Sequence, residues 1–63
     1  MAKTREIKVL QQNWGYGWDD IITYEKDERG YYDHKQIKQD LRDYRENEPQ
    51  APVRLITRRV PNV

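Results

Sequence analysis

Three aromatic side chains near the N-terminus have the residue types that form binding sites. Trp14, Tyr16 and Trp18 occupy alternate positions in the stretch NWGYGWDD, with Gly15 and Gly17 between them. Tyr and Trp are enriched among the residues that contribute most to protein association. If the stretch is extended, the three rings project from one side. If it turns, the glycines supply the positive φ angles that a hairpin connection requires.

Two interpretations of these rings are open from the sequence. The chain contains no Phe, so Trp and Tyr could supply the bulk of a small core, and the rings would then close its ends. Alternatively, the rings form an exposed patch on one face of a sheet, joined there by Tyr24, Tyr31 or Tyr32. The candidate partner-binding residues on this second interpretation are Trp14, Tyr16, Trp18 and Tyr24.

The second candidate site is the basic C-terminal segment. The whole chain has twelve basic and eleven acidic residues, but residues 50–63 carry three positive charges and no negative one. Arg54, Arg58 and Arg59 could contact phosphates, while Tyr16 or Trp18 stacks on bases. Arginines also alternate with apolar residues on edge strands, where charge prevents unwanted strand pairing. Nucleic-acid binding is therefore the alternative function.

The residues needed for catalysis or metal binding are missing or badly spaced. Asp19 and Asp20 are adjacent, so in a strand they point to opposite faces and cannot act as a pair. The chain has no Ser and no Cys, and a nucleophile next to a base is not recognisable. His34 is the only histidine, too few for a zinc site. We expect no enzyme, no metal, no cofactor and no disulfide.

Three segments have the alternation typical of strands, and one has the periodicity of a helix. The strand segments are residues 5–12, 19–26 and 52–60. Asp33 can cap a helix over HKQIKQDLRDYREN, and Gln36, three residues later, can reach back as in a capping box. The apolar residues of that helix form one narrow stripe, which must lie against another element: Ile37, Leu41 and Tyr44.

The order of these elements predicts an α+β fold with ββαβ topology. A hairpin followed by a helix and a last strand gives a three-stranded antiparallel sheet in the order 2-1-3, with the helix packed on one face. Residues 1–63 suffice for a single small domain, with flexible ends at about 1–4 and 61–63. A single helix covers only one side of the sheet, so the other side is left for solvent or for a partner.

No apolar run approaches the roughly 18 residues that a membrane span requires. The N-terminus MAKTREIK is followed by no segment typical of a signal peptide. We therefore expect a soluble, cytoplasmic protein that does not contact a membrane.

The stretches LQQNWGYGWDD, LRDYRENEP and RLITRRVPN together resemble a set of short proteins encoded by tailed bacteriophages and prophages. The resemblance covers most of the chain. It implies a phage or prophage origin and an accessory protein made inside the bacterial host cell. It implies no catalytic role for any residue.

Together these observations favour a small protein-protein interaction module. We expect it to bind a host or phage protein through the uncovered sheet face and the aromatic loop. A homodimer formed by pairing of exposed strand edges is a further interpretation, since it would enlarge a small core.

Overall fold

Three antiparallel strands and one helix make up the structure, a computed structural model that describes residues 3–62. The strands pair in the order β2-β1-β3, and the elements follow one another as ββαβ. This confirms the predicted α+β fold and its strand order. The elements are β1 (Thr4–Asn13), β2 (Trp18–Glu25), α1 (His34–Asn47) and β3 (Val53–Pro61).

The pairing of β1 with β3 extends almost to both ends of the described chain. Thr4 pairs with Pro61 in the ladder, and the backbone N–H of Asn62 donates to the carbonyl of Lys3 at 3.0 Å. Of the predicted flexible ends, about 1–4 and 61–63, residues 1, 2 and 63 lie outside the described residues. Within residues 3–62, no helix has the length and apolar character needed to cross a membrane.

The start of α1 follows the predicted cap. The Asp33 carboxylate accepts a hydrogen bond from the Gln36 backbone N–H at 3.1 Å, which satisfies one free donor of the first turn. Tyr32 and Ile37, on either side of the cap, are both buried. The Gln36 side chain does not complete a capping box, because its Nε2 donates to Asp40 at 2.8 Å instead.

A β-bulge in β2 sets the two faces of the sheet. Leu10 pairs with Ile22, but the next residue, Gln11, pairs with Asp20, so Ile21 has no partner on β1. An extra residue in one strand moves every later side chain to the opposite face. The bulge therefore places Trp18 and Asp20 on one face, and Ile22 and Tyr24 on the other.

The helix covers the face that carries Leu10, which we call the helix face. Three hydrogen bonds between the sheet and the segment that contains α1 identify it. Tyr24 donates to Asp40, Gln12 donates to Glu48, and Tyr32 donates to Glu6. The residues buried between the two layers include Leu10, Tyr32, Ile37 and Ala51. The opposite face, which carries Ile7, Val9 and Gln11 of β1, is the open face. The described helix does not cover it.

Candidate binding surface

The aromatic stretch forms a hairpin turn between β1 and β2. Gly15 and Gly17 have φ angles of 107° and 111°, which residues with a Cβ rarely adopt. The Asn13 side chain accepts a hydrogen bond from the Gly15 N–H at 2.7 Å, and the Asn13 N–H donates to the Pro52 carbonyl at 3.0 Å. These bonds tie the loop to the segment that precedes β3, so the tip of the hairpin has a defined position.

The three rings of this hairpin tip lie at the surface. The exposed fraction is 47% for Trp14, 96% for Tyr16 and 36% for Trp18. The interpretation that these rings close the core is wrong for Tyr16, since a ring so exposed contributes almost nothing to burial. The surface interpretation agrees with all three positions. We call residues 14–18 the hairpin tip.

The inner ring of the hairpin tip is held by an arginine from the far edge strand. The Arg54 guanidinium lies over the Trp18 ring, 4.1 Å from its centroid, an arrangement in which a cation is attracted to the face of an aromatic system. The Arg54 Nε also donates to the Gln11 Oε1 at 2.8 Å. Arg54 therefore reaches from β3 across β1 to β2, and it fixes the orientation of Trp18.

A second arginine, Arg58, also reaches across the sheet, four residues after Arg54 in β3. Arg58 of β3 donates to both carboxylate oxygens of Asp20 on β2, at 2.7 and 3.3 Å. The Gln11 Nε2 donates to the same carboxylate at 2.8 Å. Both donors favour the ionised form of Asp20 and therefore lower the pKa of its carboxyl group. The hydrogen bond from Arg58 has the larger effect, and the bond from Gln11 has the next largest.

This crossing explains how the open face buries apolar side chains without a helix. Arg58 pairs with Ile7 in the ladder, and Asp20 pairs with Gln11, so the bridge between them passes over Val9, midway along β1. Val9 is completely buried and Ile7 nearly so. The open face is thus covered by its own charged side chains, and the exposed rings of Trp14, Tyr16 and Trp18 lie together at the hairpin tip.

Tyr24 is not part of this aromatic surface, contrary to the prediction. It lies on the helix face, where its hydroxyl donates to the Asp40 carboxylate at 2.7 Å. Burial, followed by the neighbouring carboxylate, raises the pKa of Tyr24 well above its usual value. The physical reason is the bulge at Ile21. Without it, Trp18 and Tyr24 would share a face, because they are six residues apart in a strand of period two.

The predicted basic site is also not one surface. Arg54 and Arg58 lie on the open face, and both are engaged by partners within the chain. Arg59 is the next residue, so it lies on the opposite face, where it pairs with Glu6 in the ladder. Three guanidiniums so divided cannot contact one stretch of phosphates together.

The role of the two glutamines was missed in the sequence. Gln11 and Gln12 are both buried, one on each face of the sheet. Gln11 links Arg54 to Asp20, while the Gln12 Nε2 donates to Glu48 at 2.6 Å, beyond the end of α1. Amides in the middle of a strand give no signal of burial by themselves. Only the positions of Asp20 and Glu48 in space show why amides are needed there.

Residues 3–62 contain no group of three or more His, Asp or Glu side chains placed to hold a metal ion. In comparisons with known proteins, no family model, no curated protein and no solved structure matches the chain.

Proposed function

We propose that this chain is a small protein-protein interaction module that docks through the hairpin tip. The observation that carries the proposal is the position of Tyr16, a large ring that is 96% exposed on a loop held by hydrogen bonds at its base. An aromatic side chain so exposed adds little to folding. It offers a binding partner contact area at a low entropic cost, since the loop is already in place.

The residues around Tyr16 suit an interface in which Tyr16 inserts into the partner and polar groups surround it. Trp14 and Trp18 flank it with half-exposed rings, and Arg54 stacks on Trp18. Trp, Tyr and Arg are the residue types most enriched at binding hot spots. The charged groups further along the open face, Arg58 and Asp20, already bind one another. They suit the periphery of an interface, where such pairs exclude water but contribute little energy.

The shape of the hairpin tip favours a particular kind of partner. A ring that protrudes from a turn needs a concave, largely apolar pocket on the other protein, with an acceptor for the Tyr16 hydroxyl. The resemblance to proteins of tailed phages and prophages favours a protein of the phage or of its bacterial host, met in the cytoplasm. In this proposal the chain acts as an accessory protein and not as an enzyme.

Site-specific photocrosslinking tests this proposal. A benzophenone amino acid replaces Tyr16 in one variant and Tyr31 in a control variant, and each is expressed in infected bacteria. Tyr31 is a suitable control because it is 67% exposed but lies in the connection between β2 and α1, away from the hairpin tip. We expect a discrete crosslinked protein from position 16 that is absent from position 31.

Two results would contradict the proposal. One is the same set of crosslinked proteins from both positions, since that would indicate unspecific contact. The other is a crosslink from position 16 to a second copy of the chain, which would replace the proposal with a homodimer. The crosslinked species is then purified with its partner, and a defined stoichiometry in sedimentation confirms a specific complex.

A further inference from the structure

Four cationic side chains line one flank of α1. Lys35, Lys38, Arg42 and Arg45 are spaced at i, i+3, i+7 and i+10, and all four are exposed. At 3.6 residues per turn these positions fall within a narrow sector of the helix, about 15 Å long at 1.5 Å per residue. We call these four residues the cationic flank.

The contacts of α1 show which way the cationic flank faces. Asp40 receives the hydrogen bond from Tyr24, so the Asp40 side of the helix lies over β2. Lys38 and Arg45 lie on the other side of the apolar stripe, which directs them towards β3, an edge strand of the sheet. A shallow groove of about 380 Å³ runs along this side, with Leu41 beside the cations.

The four side chains of the cationic flank form no ion pairs with any of the described residues. Within residues 3–62, none of its four side chains makes an ion pair or a hydrogen bond. Two carboxylates of the helix are engaged elsewhere, because Gln36 and Tyr24 bind Asp40, and Gln39 binds Asp43. A third, Glu46, lines the same groove as the cations but forms no ion pair with them. Arginines on the open face, by contrast, all have acceptors from the sheet.

Helix stability does not explain the cationic flank. The first turn of α1 contains Lys35 and no acidic residue, although the partial positive charge at a helix N-terminus favours the opposite sign. Arg45 in the last turn suits the dipole, but Lys35 opposes it. Lys35 is thus an exposed, unpaired positive charge at a position that the helix dipole does not favour, and it is available to a ligand outside the chain.

We propose that the cationic flank binds the phosphate backbone of a nucleic-acid duplex. Its length matches about four nucleotides of one strand, at 3.4 Å per nucleotide. Single-strand binders use aromatic side chains on which bases stack, and none of the four flank residues is aromatic. An acidic peptide would need pockets for its side chains, whereas the groove beside Leu41 is shallow and offers point charges at regular intervals. This site is separate from the hairpin tip, and the two proposals stand or fall independently.

Fluorescence anisotropy with a labelled DNA duplex of about 20 base pairs, titrated at salt concentrations between about 50 and 200 mM, tests the proposal. The flank variant is Arg42→Gln/Arg45→Gln. The control variant Lys3→Gln/Arg29→Gln removes the same charge from two exposed side chains outside the helix. Circular dichroism confirms that each variant folds. We expect the flank variant to bind at least about tenfold more weakly, with a salt slope smaller by about one to two, and the control to lose less than about threefold.

Substitution of Glu46 should change the affinity for the duplex in the opposite direction. Glu46 lines the same groove as Lys38 and Arg42, and its carboxylate would repel a phosphate. Glu46→Gln should therefore tighten duplex binding. Equal losses in the flank and control variants would overturn the proposal, as would the absence of salt-dependent binding by the wild type. Displacement of the duplex by polyglutamate at equal charge concentration would also overturn it, in favour of an acidic protein.

Discussion

The Arg58 guanidinium, on one edge strand, binds the Asp20 carboxylate on the other edge strand at 2.7 Å, with the central strand passing beneath. The bridge lies over Val9, which is completely buried although the described helix is on the opposite side of the sheet. A domain this small cannot cover both faces of its sheet with helices. Here one face is covered by α1 and the other by charged side chains that reach across the strands.

We predict that Asp20→Asn makes the stability less dependent on pH in the acid range. Because the pKa of Asp20 is lower in the folded protein, its contribution is present above the unfolded pKa of about 3.9 and is lost as the pH falls through the folded value. At neutral pH the variant should unfold at a lower temperature than the wild type. The difference should shrink at more acidic pH, as thermal unfolding followed by circular dichroism would show. A difference that stays constant with pH would contradict this role for Asp20.

For Tyr24 we predict a stability contribution that is lost in alkali. Burial and Asp40 raise its pKa in the folded state, so the contribution is present below the unfolded pKa of about 10 and declines as the pH rises above it. Tyr24→Phe should cost about 0.5 to 1.5 kcal/mol at neutral pH, the usual value of one hydrogen bond. Urea unfolding measures this cost. Tyr31→Phe, at an exposed ring, is the control and should cost nothing measurable.

The Asp33 carboxylate, which caps α1, should contribute more to the stability of the protein than the exposed carboxylates within the helix. Asp33→Ala removes the acceptor for the Gln36 N–H and should destabilise the protein by about 1 kcal/mol. Asp43→Ala is the matched control, since Asp43 accepts only from the exposed Gln39 side chain. Chemical denaturation of both variants gives the comparison. Equal losses at the two positions would show that the cap is not formed in solution.

Lys35→Glu should change stability and duplex binding in opposite directions. A negative charge in the first turn of α1 interacts favourably with the helix dipole, so we expect a gain of about 0.3 to 1 kcal/mol. The same change places a carboxylate in the cationic flank and should weaken binding to DNA. Unfolding and anisotropy measurements on the one variant test both expectations. If stability and affinity both fell, the unfavourable charge at position 35 would need another explanation.

The topology could be predicted from the sequence because its signals are local. Alternating strands, the Asp33 cap and the stripe that contains Ile37 each depend on neighbouring residues, and together they allowed the order β2-β1-β3 to be inferred. The helix bounds were correct, and strand bounds differed by about a residue.

The assignment of side chains to faces could not be predicted to the same degree. The bulge at Ile21 depends on how two strands align, and a single unpaired residue moves Tyr24 from the aromatic surface to the helix face. Likewise, the partners of Arg54 and Arg58 come from other strands. The sequence therefore suggested that both guanidiniums are available to phosphates, whereas in the fold each is bound within the chain. The sequence left open whether Trp14, Tyr16 and Trp18 belong to the core or to the surface, because rings that alternate with glycines fit both. The structure places all three at the surface.

The affinity of the Tyr16→Ala variant for the purified crosslinked partner tests the central claim most directly. Since Tyr16 is almost fully exposed, the variant should be as stable as the wild type. If Tyr16 is a hot spot worth about 2 kcal/mol, its loss should weaken binding by about 30-fold in isothermal titration calorimetry. Tyr31→Ala should bind like the wild type. Binding of Tyr16→Ala within about twofold of the wild type would contradict docking through the hairpin tip.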